Sequence, residues 1–286
     1  MPFSEVMTFF FRGLMNGAIT TRASSVAFNF FIAVFPALIF LFTLIPYIPV
    51  EGFQTELLNL TQDVMPSEAF KGIKETLDDL IIRKRTDLLS LGFIMALIFS
   101  INGISTLIDA FNATYHSFEN RPAVNKWLIS VVLVFIFFIL VFTATILIIF
   151  SKMGRDYLIN NDILRENFTL FSLQIGKWMI VITLLLMAIS FLYYFAPARR
   201  EKWKFFTPGS ITATLFVILS SLAFSFFVNN FANYNLFYGS LGTIIVLLLW
   251  MYINAIVLII GFELNASISN VRLTKITKKD LPNNRT

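Results

Sequence analysis

Residues 234–266 read YNLFYGSLGTIIVLLLWMYINAIVLIIGFELNA, and this stretch decides the fold. The turn-forming run Tyr238-Gly239-Ser240-Leu241-Gly242 leads straight into an apolar segment. A hydrocarbon core of roughly 30 Å takes about 20 helical residues, and residues 241–263 supply them. Asn254 lies inside that run and Glu263 closes it. An ionisable group at that depth is costly unless it faces protein, water or a counter-charge. Glu263 is therefore either a helix-end carboxylate reaching towards the headgroups or a functional group.

The rest of the chain supplies a membrane bundle around this helix. Of its 286 residues, 57% are hydrophobic and only 14% are charged, against about 25% charged in soluble domains. The apolar residues fall in long blocks, predicting spans at residues 23–47, 88–111, 127–150, 175–195, 210–228 and 241–263. The expected fold is an all-α membrane protein, a bundle of six transmembrane helices. An N-terminal interfacial helix over residues 3–19 precedes it, with Phe3, Val6, Met7, Phe10, Phe11 and Leu14 crowding one side. Residues 51–85 carry Phe53, Leu57, Leu60 and Val64 on one helical face. After Pro66, residues Phe70, Ile73, Leu77, Leu80 and Ile81 lie on another, predicting a short amphipathic helical cap between spans one and two. Residues 1–270 read as a single bundle and residues 271–286 as a basic, disordered cytoplasmic tail.

The spans differ in character. Pro36 sits mid-way along the first and is expected to shape that helix, because it removes one backbone donor. Gly239 and Gly242 shape the turn into the last. The second span is the most polar. Asn102 and Asp109, about two turns apart, share one face, and that face is expected to point inward. The third span is nearly pure Val, Ile, Leu and Phe, so it reads as lipid-facing scaffold. The fifth opens at Pro208-Gly209 and holds Ser210, Thr212, Ala213, Ser220 and Ser221. Small residues allow close helix approach, so this span is expected inside.

Lys and Arg set the orientation. With six spans, Arg12, Arg22, Arg121, Lys126, the basic string in residues 199–204 and the C-terminal bases collect on one side. By the positive-inside rule that side is cytoplasmic, with both termini there. The net charge of +5 is thus explained by topology and anionic lipid rather than by nucleic acid. No cysteine is present, which excludes disulfides and thiolate chemistry. The lone histidine, His116, has only Asp109 and Glu119 near it in sequence, which is too few ligands for a metal site. No phosphate-binding loop or nucleophile elbow occurs. The chain reads as a non-enzyme that needs no cofactor or metal. Its expected partners are membrane lipids and an ion or small solute.

An ordered set of motifs carries a resemblance. Ala27-Phe28 and Phe35-Pro36 lie in the first span, and Ile108-Asp109-Ala110-Phe111-Asn112 leads to Arg121-Pro122. Tyr238-Gly239-Ser240-Leu241-Gly242 follows, then Trp250, Tyr252 and Gly261-Phe262-Glu263-Leu264-Asn265-Ala266. In this order the chain resembles the YihY/virulence factor BrkB family over nearly its whole length. The resemblance implies a six-helix inner-membrane protein associated with envelope integrity. It also implies that ribonuclease BN, a label once given to members, is not the activity. The sequence departs from the family pattern at Asn29, where an aromatic is common, and at Ala33, where Ser is common.

By topology Arg22, Asp109 and Glu263 lie at similar depth, two acids and a base able to pair. Asn29, Asn102 and Asn254 lie deeper, while Asn112 and Asn265 flank the charges. The candidate site is these eight residues lining an inward-facing polar cavity. Two readings follow: passive or ion-coupled transport or lipid handling, or a scaffold that recruits envelope partners. A third, bland reading is a charge network that only fixes helix register.

Overall fold

In hydrocarbon a backbone has no water to bond, so long apolar runs must satisfy their own N–H and C=O groups as helices. The computed structural model describes residues 3–16, 18–47, 84–114, 117–118, 122–160, 166–198, 205–231 and 240–280. Among them, helix α1 spans Phe3–Asn16 and α2 spans Ile19–Leu44, with a tight helical turn at Ile45–Tyr47. Helices α3 (Thr86–Asn112), α4 (Ala123–Asn160), α5 (Glu166–Phe195), α6 (Pro208–Phe231) and α7 (Ser240–Asp280) follow. Among the described residues six segments are long and apolar enough to cross a membrane: Ile19–Tyr47, Thr86–Asn112, Ala123–Ala144, Trp178–Phe195, Pro208–Val228 and Ile244–Val271. These are the six expected spans. The cap in residues 51–85 lies almost wholly outside the described residues, as do His116 and Gly239.

Two features differ from the sequence reading. Between α3 and α4 the chain makes a small antiparallel pair, β1 (Ala113–Thr114) with β2 (Ser117–Phe118), rather than a plain loop. The last helix continues to Asp280, ten residues into the stretch expected to be a disordered tail. No proline or glycine follows Gly261 until Pro282, so nothing local stops it. At 1.5 Å per residue its 41 residues run about 60 Å, roughly twice a hydrocarbon core. The described chain forms two compact units, Phe28–Gly103 and a larger one of Met1–Ala27 with Ile104–Thr286.

In the smaller unit α2 stays helical through Pro36. Its C-terminal part packs closely on α3: a side chain on Gly92 would press the backbone of Phe40, and the Phe40 and Phe93 rings lie 5.4 Å apart. Tyr47 shares a hydrogen bond of 2.8 Å with Thr86, under the Lys84 ammonium.

In the larger unit α7 packs against α1 and α6, α5 against α4 and α6. Helix α4 exposes Val132, Phe135, Phe138, Ile139 and Phe142, as a lipid-facing scaffold would. Helix α6 is not the interior helix expected. It buries Ser210, Ala213 and Thr214 near its start but exposes Ile211, Leu215, Leu219, Leu222 and Phe226. Its small residues make one seam, not an all-round core position. Apolar exposure on this scale is not tolerated in water and requires a lipid surround.

Helices α1 and α2 are joined through Ala18, whose φ of 45° is left-handed. A Cβ there costs about 1–2 kcal/mol, so Ala18→Gly is expected to raise thermal stability by about 0.5–1 kcal/mol. Thermal unfolding in detergent checks this; an unchanged or lowered midpoint contradicts the strain.

Candidate functional site

The site is assembled by the stretch Gly261–Ala266, in which successive side chains of α7 reach different helices. Gly261 carries no side chain because there is no room for one. A Cβ there would lie 2.6 Å from the Tyr193 hydroxyl and 2.7 Å from the Ala213 Cβ. Gly209 of α6 faces it, and a Cβ on Gly209 would collide with the Gly261 carbonyl and the Asn265 amide. The two glycines set the closest approach of α6 and α7. Phe262 stacks on Phe111 of α3, with centroids 4.5 Å apart and planes at 8°, and meets Tyr193 of α5 edge-on at 5.6 Å. The Tyr193 hydroxyl donates to the Leu258 carbonyl at 2.6 Å.

Glu263 is fully buried and accepts from Arg22 of α2 at 2.9 Å. Arg22, itself 9% exposed, also donates to the Ala110 carbonyl at the end of α3, at 2.7 Å. The pair is half of a fork. A guanidinium can give two parallel bonds to a carboxylate, yet only Nη2 to Oε1 is made. Arg22 Nε and Glu263 Oε2 are both buried with no hydrogen-bond partner among the described residues. So is the hydroxyl of Ser267, one turn further along the same face of α7.

Asp109 does not join this network, contrary to the expected triad. Both its oxygens accept from Lys126 Nζ, at 3.0 and 2.8 Å, in an exposed pair. The antiparallel β1–β2 pair and the start of α4 follow α3 directly, and Lys126 of α4 reaches back to Asp109. The sequence signal for this pair is Lys126 lying just across a short connection from Asp109, whereas depth alone points to Arg22.

The asparagines separate too. Asn112 donates to the Ala196 carbonyl at 3.2 Å and accepts from the Ala198 N–H at 2.8 Å, holding the exit of α5. Asn265 accepts from the Gly209 N–H and donates to the Thr207 hydroxyl, both at 2.8 Å. Thr207 and Ser210 cap α6 reciprocally, each backbone N–H bonded to the other's hydroxyl at 3.1 Å. Asn265 thus satisfies a first-turn donor of α6 from a neighbouring helix. Both asparagines clamp connections between helices. Asn265→Ala strips the Gly209 N–H and Thr207 of buried partners and is expected to cost about 1–3 kcal/mol, read as a lower unfolding midpoint. A loss no larger than that of Asn160→Ala, outside this clamp, argues against it.

Asn254 donates to the Trp250 carbonyl one turn back at 2.8 Å, while its Oδ1 is buried without a partner among the described residues. Asn29 and Asn102 belong to the smaller unit, the first half-buried and the second exposed. Asn102 and Asp109 share a face as their spacing requires, but that face is exposed. The buried side of α3 is Ile104, Leu107, Ile108 and Phe111. Gly242 is buried at the start of α7. Among the described residues no three His, Cys, Asp or Glu side chains are grouped to hold a metal ion.

The model of the family described as virulence factor BrkB matches residues 10–285, taking in every residue of this site. The chain belongs to the virulence factor BrkB family. YfkH of Bacillus subtilis (strain 168), named as ribonuclease-like, is 31% identical over 248 residues, 86% of this chain and 88% of its own. A UPF0761 membrane protein of Alteromonas mediterranea is 23% identical over 274 residues, 92% of this chain and 87% of its own. Another, of Idiomarina loihiensis, is 23% identical over 167 residues, 58% of each chain. No solved structure matches. Family membership and the six apolar helices together make this BrkB-family chain an integral, multi-pass membrane protein.

Proposed function

We propose that this BrkB-family protein handles an ion, small solute or lipid in the cell's inner membrane. The movement is passive or ion-coupled and supports envelope integrity, with both termini in the cytoplasm and no reaction catalysed. The observation that carries this reading is the buried Arg22–Glu263 pair, in which polar atoms of both partners are left without bonds. A pair kept only to fix register gains most by completing its fork, since each unmade buried bond costs about 1–3 kcal/mol. Unmade bonds on both partners fit a group that serves a visiting ligand. The cytoplasmic assignment follows the excess of Lys and Arg on the side of the termini.

Native mass spectrometry of the mildly solubilised chain tests the reading. Wild type is expected to retain a specific small solute or lipid that Arg22→Gln/Glu263→Gln loses. Identical spectra, with nothing retained by either, leave the pair as a register lock and overturn the proposal.

A further inference from the structure

The fully buried carboxylate can be pushed one step further, on the basis of the transport or lipid-handling reading. Arg22 and Glu263 together carry no net charge, which is why their burial among apolar neighbours is tolerable. Any ligand that takes a place at this pair must leave the sum near zero. A second cation meets the guanidinium at once. A divalent ion such as calcium or magnesium also needs about six or more oxygens, whereas among the described residues the unbonded side-chain oxygens on this face of α7 are Glu263 Oε2 and Ser267 Oγ. A proton needs one oxygen, and Oε2 is free to take it.

We infer that Arg22 is a binding site for a singly charged oxyanion, such as a phosphodiester, and that the anion enters with one proton carried by Glu263. Proton and anion arrive together and the buried charge stays balanced. The step is a simple protonation: Glu263 carboxylate plus a hydronium gives the carboxylic acid and water. The proton sits on Oε2, and the Arg22–Oε1 contact falls from an ion pair to an ordinary hydrogen bond. Arg22 keeps its charge and its bond to the Ala110 carbonyl, while Nε and Nη2 turn to the anion as the two donors of a fork. Ser267 adds a hydroxyl donor on the same side.

The other groups around this point do not compete. From α3, Asp109 is engaged by Lys126 of α4 in an exposed pair. From α5, the Tyr193 hydroxyl is spent on the Leu258 carbonyl. Helix α6 has no charged residue, and Glu5 and Arg12 of α1 are exposed. Glu263 and the anion are thus the two rivals for one guanidinium.

Isothermal titration of the full chain in a nonionic detergent tests this with two probes, dimethyl phosphate and dihexanoyl phosphatidylglycerol. Both keep a single charge from mildly acidic to mildly basic pH. In wild type, affinity is expected to rise by up to about tenfold for each pH unit of acidification. Glu263→Gln, which mimics the protonated acid, is expected to bind at basic pH as tightly as wild type does at acidic pH, without pH dependence. Arg22→Gln/Glu263→Gln, a neutral pair that leaves no lone buried charge, is expected to bind neither probe. Binding of dimethyl phosphate as well as the lipid assigns a free anion as cargo, and binding of the lipid alone assigns a headgroup. Wild-type affinity that ignores pH, no binding of either probe, or binding undiminished in the double variant overturns the inference. A cationic or neutral adduct in the mass spectra then still upholds the broader transport reading.

Discussion

Arg22→Ala is expected to destabilise the protein by about 3–5 kcal/mol, because it leaves the fully buried Glu263 carboxylate without a counter-charge. The loss exceeds that of an exposed ion pair such as Lys126–Asp109, where about 1 kcal/mol or less is at stake. Replacing both partners, as in Arg22→Met/Glu263→Leu, removes the charges and the unmade bonds together. That variant is expected to unfold within about 1 kcal/mol of wild type or later. A double-mutant cycle on thermal or denaturant unfolding in detergent measures the coupling directly. Independent, additive losses at Arg22 and Glu263 sink the claim that the two form one buried unit.

Gly261→Leu is the second large effect. The space beside Gly261 is already taken by the Tyr193 hydroxyl and the Ala213 Cβ, and neither yields cheaply. Tyr193 is fixed by its bond to the Leu258 carbonyl, and Ala213 is on a packed helix. Forcing four carbons into that gap separates α6 from α7 and is expected to cost about 3 kcal/mol or more. It also breaks the Asn265 clamp on Gly209. The milder Gly209→Ala should cost about 1–3 kcal/mol, since its Cβ meets backbone. Cross-linking between cysteines placed on α6 and α7, in an otherwise cysteine-free chain, reports the separation. Undiminished cross-linking in Gly261→Leu contradicts the close approach.

The spans were legible because hydropathy alone determines where a chain crosses lipid. What hydropathy does not encode is which face of a span meets protein. Asn102 and Asp109 were rightly placed on one face of α3, yet the buried face is the apolar one with Ile104, Ile108 and Phe111. Polar residues in a span do not have to point inward when another helix packs better on the apolar side. The same gap explains Asp109. Depth made Arg22 its natural partner, but a turn only visible in three dimensions offered Lys126 instead. Of the expected triad the Arg22–Glu263 arm stands.

Asn112 and Asn265 were picked for their polarity and turned out to hold connections. For Asn265 a local signal existed: Thr207-Pro208-Gly209-Ser210 is a capping sequence whose first-turn donors need an acceptor. No sequence rule says which distant residue will provide it. The extension of α7 to Asp280 was legible in retrospect from the lack of a breaker after Gly261.

The six residues Gly261–Ala266 join α7 to α2, α3, α5 and α6 within the larger unit. They also come after every helix they fasten in chain order. The earlier helices of that unit can enter the bilayer one by one, since insertion and packing are separable stages. The contacts that tie α2, α3, α5 and α6 to α7 wait until this stretch follows them. A nascent chain cut short before Gly261 would be inserted but unfastened, with Arg22 bare in the membrane. Completion of those contacts therefore waits until this stretch has been made and inserted.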